Sequence, residues 1–141
     1  MTKGNEVGVL QDNVWVELVG KIIIARLRGD VSVEMLNERH QRICQIRRDT
    51  SCSRVLLDDL EMTAMSYPAV EVQQALNIEL ESLDFQIAIV VPNSRLAYLA
   101  RIQFGDINHR VFYNDMAEAT AWLMQSTCSA LPVTTIDRLP I

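Results

Sequence analysis

The chain is short of the residues that most chemistry requires. Five glycines serve 141 residues, and they form no Gly-x-Ser-x-Gly elbow, Gly-rich phosphate loop or dinucleotide fingerprint. Cysteines number three, Cys44, Cys52 and Cys128. The count is odd, the spacing is wide and no Cys-x-x-Cys pair exists. That pattern reads as reduced intracellular thiols, not a disulfide framework or a zinc site. Neither histidine, His40 nor His109, has a carboxylate close in sequence at a metal-ligand spacing. Basic residues are also scarce: 13 Lys and Arg face 18 Asp and Glu, for a net charge of -5. This argues against a nucleic-acid binder and against docking on an anionic membrane surface. No apolar run approaches the ~20 residues of a membrane span. The opening Met1-Thr2-Lys3-Gly4-Asn5-Glu6 has no apolar core of a signal peptide. We therefore expect a cytoplasmic protein.

What remains is an ordinary globular composition, 49% hydrophobic and 22% charged. The length fits one domain, which buries about two thirds of its unfolded surface with no disulfide or metal staple. The most informative stretch is Ile87-Ala88-Ile89-Val90-Val91, closed by Pro92-Asn93-Ser94. An unbroken apolar run with β-branched residues and a turn signal is the pattern of a strand buried on both faces of a parallel sheet. Ser94 reads as the cap of the helix that follows.

The rest of the chain supplies neighbours for that strand. Residues 13–28 read as a hairpin: Val14, Val16 and Leu18 alternate on one arm, Val19-Gly20-Lys21 turns, and 22–27 returns. Gly29-Asp30 reads as a strand break. Ser32 caps a helix over 33–48, with Leu36, His40, Ile43, Cys44 and Arg47 on one stripe. Residues 54–58 form a second buried strand, and 59–67 a loop. Pro68 suits the first position of a helix to Ser82, burying Val72, Leu76, Leu80 and Leu83. A helix over 95–104, a loop, a strand over 110–113 and a helix capped by Asp115 complete the order. The last helix carries Ala119, Trp122 and Leu123. The fold class is thus α/β: an N-terminal β-hairpin, then αβαβαβα, with a mostly parallel central sheet packed by helices. Residues 1–12 read as a flexible terminus, 13–126 as the domain and 127–141 as an apolar tail that packs on its own or a partner chain.

This order, the segment Ile87-Ala88-Ile89-Val90-Val91-Pro92-Asn93-Ser94, and the later Arg110-Val111-Phe112 and Glu118-Ala119-x-Ala121-Trp122-Leu123 resemble the SpoIIAA-like group of STAS domains. STAS denotes the sulfate transporter and anti-sigma factor antagonist fold. The resemblance spans about 14–123 and implies a non-catalytic regulatory or protein-interaction module. In such antagonists a serine opening the helix after the middle strand is phosphorylated by a partner kinase, which breaks the complex. The equivalent segment here, 57–68, lacks the Asp-Ser-x-Gly signature, and Ser66 lies in the right region. Ser66 otherwise reads as a cap. A phosphate there would sit on a helix N-terminus, where its charge is favoured.

Two sets of residues are candidates for function. The switch or partner loop holds Asp58, Asp59, Thr63, Ser66 and Tyr67. Asp58 and Asp59 close a buried strand, at the sheet edge where ligands usually bind. The plainer reading makes one a loop cap and leaves the other in water. The second set, Asn93, Ser94, Tyr98, Arg101 and Phe104, would line a groove for a small apolar or lipid-like ligand. Placing helices on one face leaves the other needing cover, so we expect a homodimer to which the tail contributes. We expect no catalytic residue, cofactor or metal. His40 reads as a satisfied, half-buried histidine and His109 as a solvated one.

Overall fold

A computed structural model describes residues 13–96, 98, 100 and 108–125. The alternating residues of β1 (Val14–Val19) and β2 (Ile22–Val31) pair antiparallel, Val14 opposite Leu27 and Val19 opposite Ile22. Gly20 makes the turn at φ +63°, a conformation that side-chain-bearing residues adopt at a cost. Ser32 starts α1 (Val33–Thr50) by accepting the Met35 amide hydrogen. Ser51, left-handed at φ 64°, ends it. β3 (Arg54–Met65), α2 (Tyr67–Ser82), β4 (Gln86–Val91), a helical stretch beginning at Ser94, β5 (His109–Tyr113) and α3 (Met116–Gln125) follow. The five strands lie in chain order, and β2 to β5 are parallel.

Every residue of β4 is buried, as its unbroken apolar pattern requires. Ile87, Ile89 and Val91 face a core that joins Ile23, Ala25, Leu27, Val55 and Leu57 to α1, α2, Leu96 and Ala100. Ala88 and Val90 face the other way, with Ile22, Leu56 and Phe112, beneath Ala119 and Leu123 of α3. Helices therefore flank both sides of the sheet. α3 covers β3 to β5. The β1–β2 half of that side is less covered: Trp15 and Val19 are exposed and Ile24 is half-buried. Among the described residues no helix is long and apolar enough to cross a membrane. The segments 1–12 and 127–141 lie outside the described residues.

Two expectations are corrected. Gly29-Asp30 does not break the strand, and 59–65 is not loop. β2 continues to Val31 and β3 to Met65, and the extensions pair with each other: Gly29 opposite Met62, Asp30 opposite Ala64, Val31 opposite Met65. The register shifts twice along this stretch, so β3 carries extra residues as bulges. Gly29, at φ +76°, supplies the backbone freedom on β2. Polar side chains made the two segments look like loops, yet they bond each other across the ladder. Arg28 Nε donates to Glu61 at 2.6 Å, and Thr63 Oγ1 to Asp30 at 2.6 Å.

The α2 stripe also differs. Its innermost residues are Ala69, Gln73, Asn77 and Leu80, while Val72, Leu76 and Leu83 pack at the margin. Pro68 takes the second helical position, not the first. The central place of β4 has a direct consequence. Ile89→Ala should cost about 2–5 kcal/mol in urea unfolding, the range for truncating a fully buried aliphatic side chain. Val19→Ala on the exposed edge should stay within about 0.5 kcal/mol. Equal losses at both positions would contradict the burial assigned here.

Candidate functional site at the carboxyl edge of the sheet

The parallel strands all end at one edge, and a helix leaves from each. Ser32 caps α1 after β2, and Ser66 caps α2 after β3, its Oγ accepting the Ala69 amide hydrogen at 3.2 Å. After β4 the cap is Asn93, whose Oδ1 accepts from the Leu96 amide at 2.9 Å. The expectation for Ser94 is thus corrected by one residue, because the carboxamide of Asn93 reaches the third amide of the helix and Ser94 is already helical. After β5, Asn114 turns at φ 50° and donates its amide hydrogen to the Val91 carbonyl. Asp115 then accepts from the Glu118 amide at 2.9 Å.

Between the ends of β3 and β4 lies a hollow of about 210 Å³ lined by Thr63, Ala64, Met65, Asn93, Arg95 and Leu96. It brings together one residue from each predicted set, Thr63 and Asn93. Ser66, Tyr67 and Ser94 are exposed at the same strand ends, and Tyr98 is exposed on the helical stretch after β4. Arg101 and Phe104 lie outside the described residues. Arg95 was missed from sequence. Its signal was a cation in the first turn of a helix, against the dipole. A larger hollow, about 370 Å³, sits at the opposite edge between the hairpin turn and the α1–β3 connection, around Lys21, Ser51 and Arg54. Its size is not decisive, since ligands of open α/β sheets favour the carboxyl ends of strands.

Asp58 and Asp59 do not join this site. β3 runs on past them, so both lie mid-strand and buried, neither capping a loop nor facing water. They point to opposite faces of the sheet, as successive strand residues do. Asp58 accepts from Arg26 Nε at 3.0 Å, and the Arg26 guanidinium lies over the Trp15 ring at 5.2 Å. Asp59 accepts from Arg39 Nη1 at 3.3 Å. Arg39 Nη2 donates to Gln73 at 2.9 Å, and Gln73 to Asn77 at 2.7 Å. One polar chain thus ties α1, β3 and α2 together inside the protein. Burial pushes the Asp59 carboxyl above its ordinary 3.8, partly offset by Arg39 and reinforced by Asp58. Burial likewise lowers the Arg39 guanidinium. The pair is shielded from any substrate, so its chemistry is cohesion between elements. His40 is buried against Glu79, and His109 opens β5 instead of standing in a loop.

Solved structures share this architecture. The anti-sigma factor antagonist SpoIIAA in its unphosphorylated form aligns with 81% of this chain and 98% of its own, at 16% identity and a TM-score of 0.57. An anti-sigma factor antagonist from Mycobacterium paratuberculosis aligns with 79% of this chain and 92% of its own, at 12% identity and a TM-score of 0.58. An uncharacterized protein of the DUF3478 family from Shewanella loihica PV-4, described as having a SpoIIAA-like fold, aligns with 78% and 91%, at 15% identity and a TM-score of 0.54. No family model matches the chain, and no curated protein does. The fold is that of the SpoIIAA-like α/β proteins, with the N-terminal hairpin in place.

The buried pair can be tested by its pH dependence. Arg39→Met leaves Asp59 without its cation and should cost about 3–5 kcal/mol near neutral pH. An acid whose folded pKa is raised holds its proton better when folded. The stability it adds is complete below the unfolded value of 3.8 and is lost as pH rises through the folded pKa. Urea unfolding should therefore show the smallest deficit for Arg39→Met below pH 3.8 and a growing one above it. Arg39→Met with Asp59→Leu should regain most of the loss. A deficit independent of pH would contradict this assignment.

Proposed function

We propose that the chain is a non-catalytic regulatory module that binds a protein partner through the carboxyl edge of its sheet, with Ser66 as the position where phosphorylation would control the contact. The carrying observation is the geometry of Ser66: exposed, capping the N-terminus of α2, with Oγ accepting the Ala69 amide hydrogen. The first turn of α1 contains Glu34 and that of α3 contains Glu118, whereas α2 has no acidic residue there. A phosphate on Ser66 would meet a helix dipole that no first-turn carboxylate offsets. Tyr67 and Tyr98, 75% and 63% exposed, together with Arg95 on the rim of the hollow, have the residue types that anchor protein interfaces. Anti-sigma factor antagonists among the similar structures, including the Bacillus cell fate determinant SpoIIAA solved in a phosphorylated form, support the regulatory reading.

The alternative, a small apolar or lipid-like ligand, has less behind it. The hollow is below the roughly 300 Å³ at which ligand pockets begin, and Thr63, Asn93 and Arg95 make it partly polar. The proposed setting is the cytoplasm, which suits the free thiols of Cys44 and Cys52. We further propose that two copies associate across the β1–β2 half of the sheet, where Trp15 and Val19 are exposed, and that residues 127–141 contribute.

Both parts are testable. Aspartate caps a helix as well as serine does, so Ser66→Asp should keep the protein's stability while adding charge. As bait, wild type should retain a discrete protein that Ser66→Asp and Tyr67→Ala with Tyr98→Ala each reduce strongly, while Lys21→Ala at the opposite edge recovers it fully. Equal recovery by all four baits would reject the edge as the contact surface. For assembly, light scattering should give a dimer that deleting 131–141 weakens. A monomer indifferent to the deletion would reject that part.

A further inference from the structure

Away from the carboxyl edge, two helices bring a nitrogen, a sulfur and an oxygen donor to one point. His40 and Cys44 are one turn apart on α1, so they share a face. Glu79 meets them from α2, roughly 20 Å along that helix from Ser66 by the helical rise. His40 Nε2 lies 2.7 Å from Glu79 Oε1, and Cys44 Sγ lies 3.6 Å from the same nitrogen. All three donor atoms fall within 4.8 Å of one another. A neutral imidazole nitrogen either donates or accepts, so Nε2 cannot serve a carboxylate acceptor and a thiol donor at once. A cation among the three serves all of them.

We propose that His40, Cys44 and Glu79 form a binding site for a divalent ion of the zinc class, clipping α1 to α2. Zinc bonds of about 2.3 Å to sulfur and about 2.0 Å to nitrogen put the S···N edge of a tetrahedron at about 3.5 Å. The distance here is 3.6 Å. The N···O edge has to open from 2.7 Å to about 3.4 Å. Glu79 allows this, because its side chain is 59% exposed and can rotate outward, whereas the buried His40 and Cys44 stay in place. A thiolate and a carboxylate balance the two positive charges, so the loaded site is neutral, and the Cys44 thiol proton passes to solvent on binding. Sulfur and imidazole select zinc, cobalt and nickel over magnesium or calcium. The fourth position opens beside Glu79 towards solvent and is taken by water. The sequence hid this trio because Glu79 lies 39 residues from His40.

Cobalt(II) is the probe, titrated into the reduced full-length protein carrying Cys52→Ser and Cys128→Ser, so that Cys44 is its only thiol. The expected result is thiolate-to-cobalt charge transfer in the near ultraviolet and tetrahedral d–d bands in the visible, saturating at one ion per chain and bleached by zinc. Adding Cys44→Ser should abolish the charge-transfer band. His40→Gln and Glu79→Gln should each weaken cobalt binding by roughly tenfold or more. Circular dichroism establishes that each variant is folded, and Glu79→Gln, at an exposed position, decides if the buried variants do not fold. A folded protein without the charge-transfer band, or an affinity that Glu79→Gln leaves unchanged, would overturn the site.

Discussion

The constraint on which the molecule depends is the burial of β4 on both faces. A strand with no exposed residue cannot be an edge, and it cannot have solvent on either side of its sheet. β3 and β5 must flank it, and helices must cover both surfaces. Two alanines make that cover possible at close range: Ala69 on α2 and Ala119 on α3 are fully buried on opposite sides. Each fully buried Ile or Val in the strand contributes roughly 1.5–3 kcal/mol. This one element therefore carries a large share of the free energy that fixes the order of the others.

How much of this was legible in the sequence follows from which signals are local. The apolar run 87–91, the alternation of Val14, Val16 and Leu18, and the capping roles of Ser32, Ser66 and Asp115 are all local, and the structure has them. The errors came where polar residues are satisfied by distant partners. Asp30 and Thr63 look like loop residues until each is seen bonding the other across a ladder. Gln73 and Asn77 fall outside an apolar stripe, yet they occupy the inner face of α2 because Arg39 needs an acceptor there. The same holds for the site. Thr63 and Asn93 were chosen separately and share one hollow, while Asp58 and Asp59 were chosen as edge residues and are interior. A strand's length depends on what pairs with it, and no stretch of residues states that alone.

The chain from Arg39 through Gln73 to Asn77 also explains a feature of α2 that hydrophobicity cannot. A buried ion pair rarely adds net stability over a well-packed apolar replacement. What it does add is a penalty for misplacement. If α1 or α2 shifts by one residue, a buried guanidinium or carboxylate loses its partner, whereas sliding aliphatic side chains would meet others like themselves. Arg47 repeats the device at the far end of α1, where its guanidinium donates to the Leu83 carbonyl and lies over the Phe85 ring. The alignment of the two helices is thus set by two arginines, Arg39 along the body of α1 and Arg47 in its last turn.

That alignment matters because it fixes what the carboxyl edge presents. The chain carries a net charge of -5, yet at this edge several helix N-termini converge, and of the four caps only Asp115 bears a charge. Arg95 adds a cation beside them. Exposed Glu34, Asp115 and Glu118 offset the dipoles of α1 and α3, and the dipole of α2 is the least offset, because its first turn has no carboxylate. The bulges in β3 extend this edge, carrying Thr63 and Ser66 into solvent beyond the buried Asp59. The partner surface proposed above would combine these dipoles and the hydroxyls of Thr63 and Ser66 with the longer side chains of Tyr67, Arg95 and Tyr98. Adding or removing one negative charge at Ser66 would change that field within a single helical turn and leave the core packing untouched.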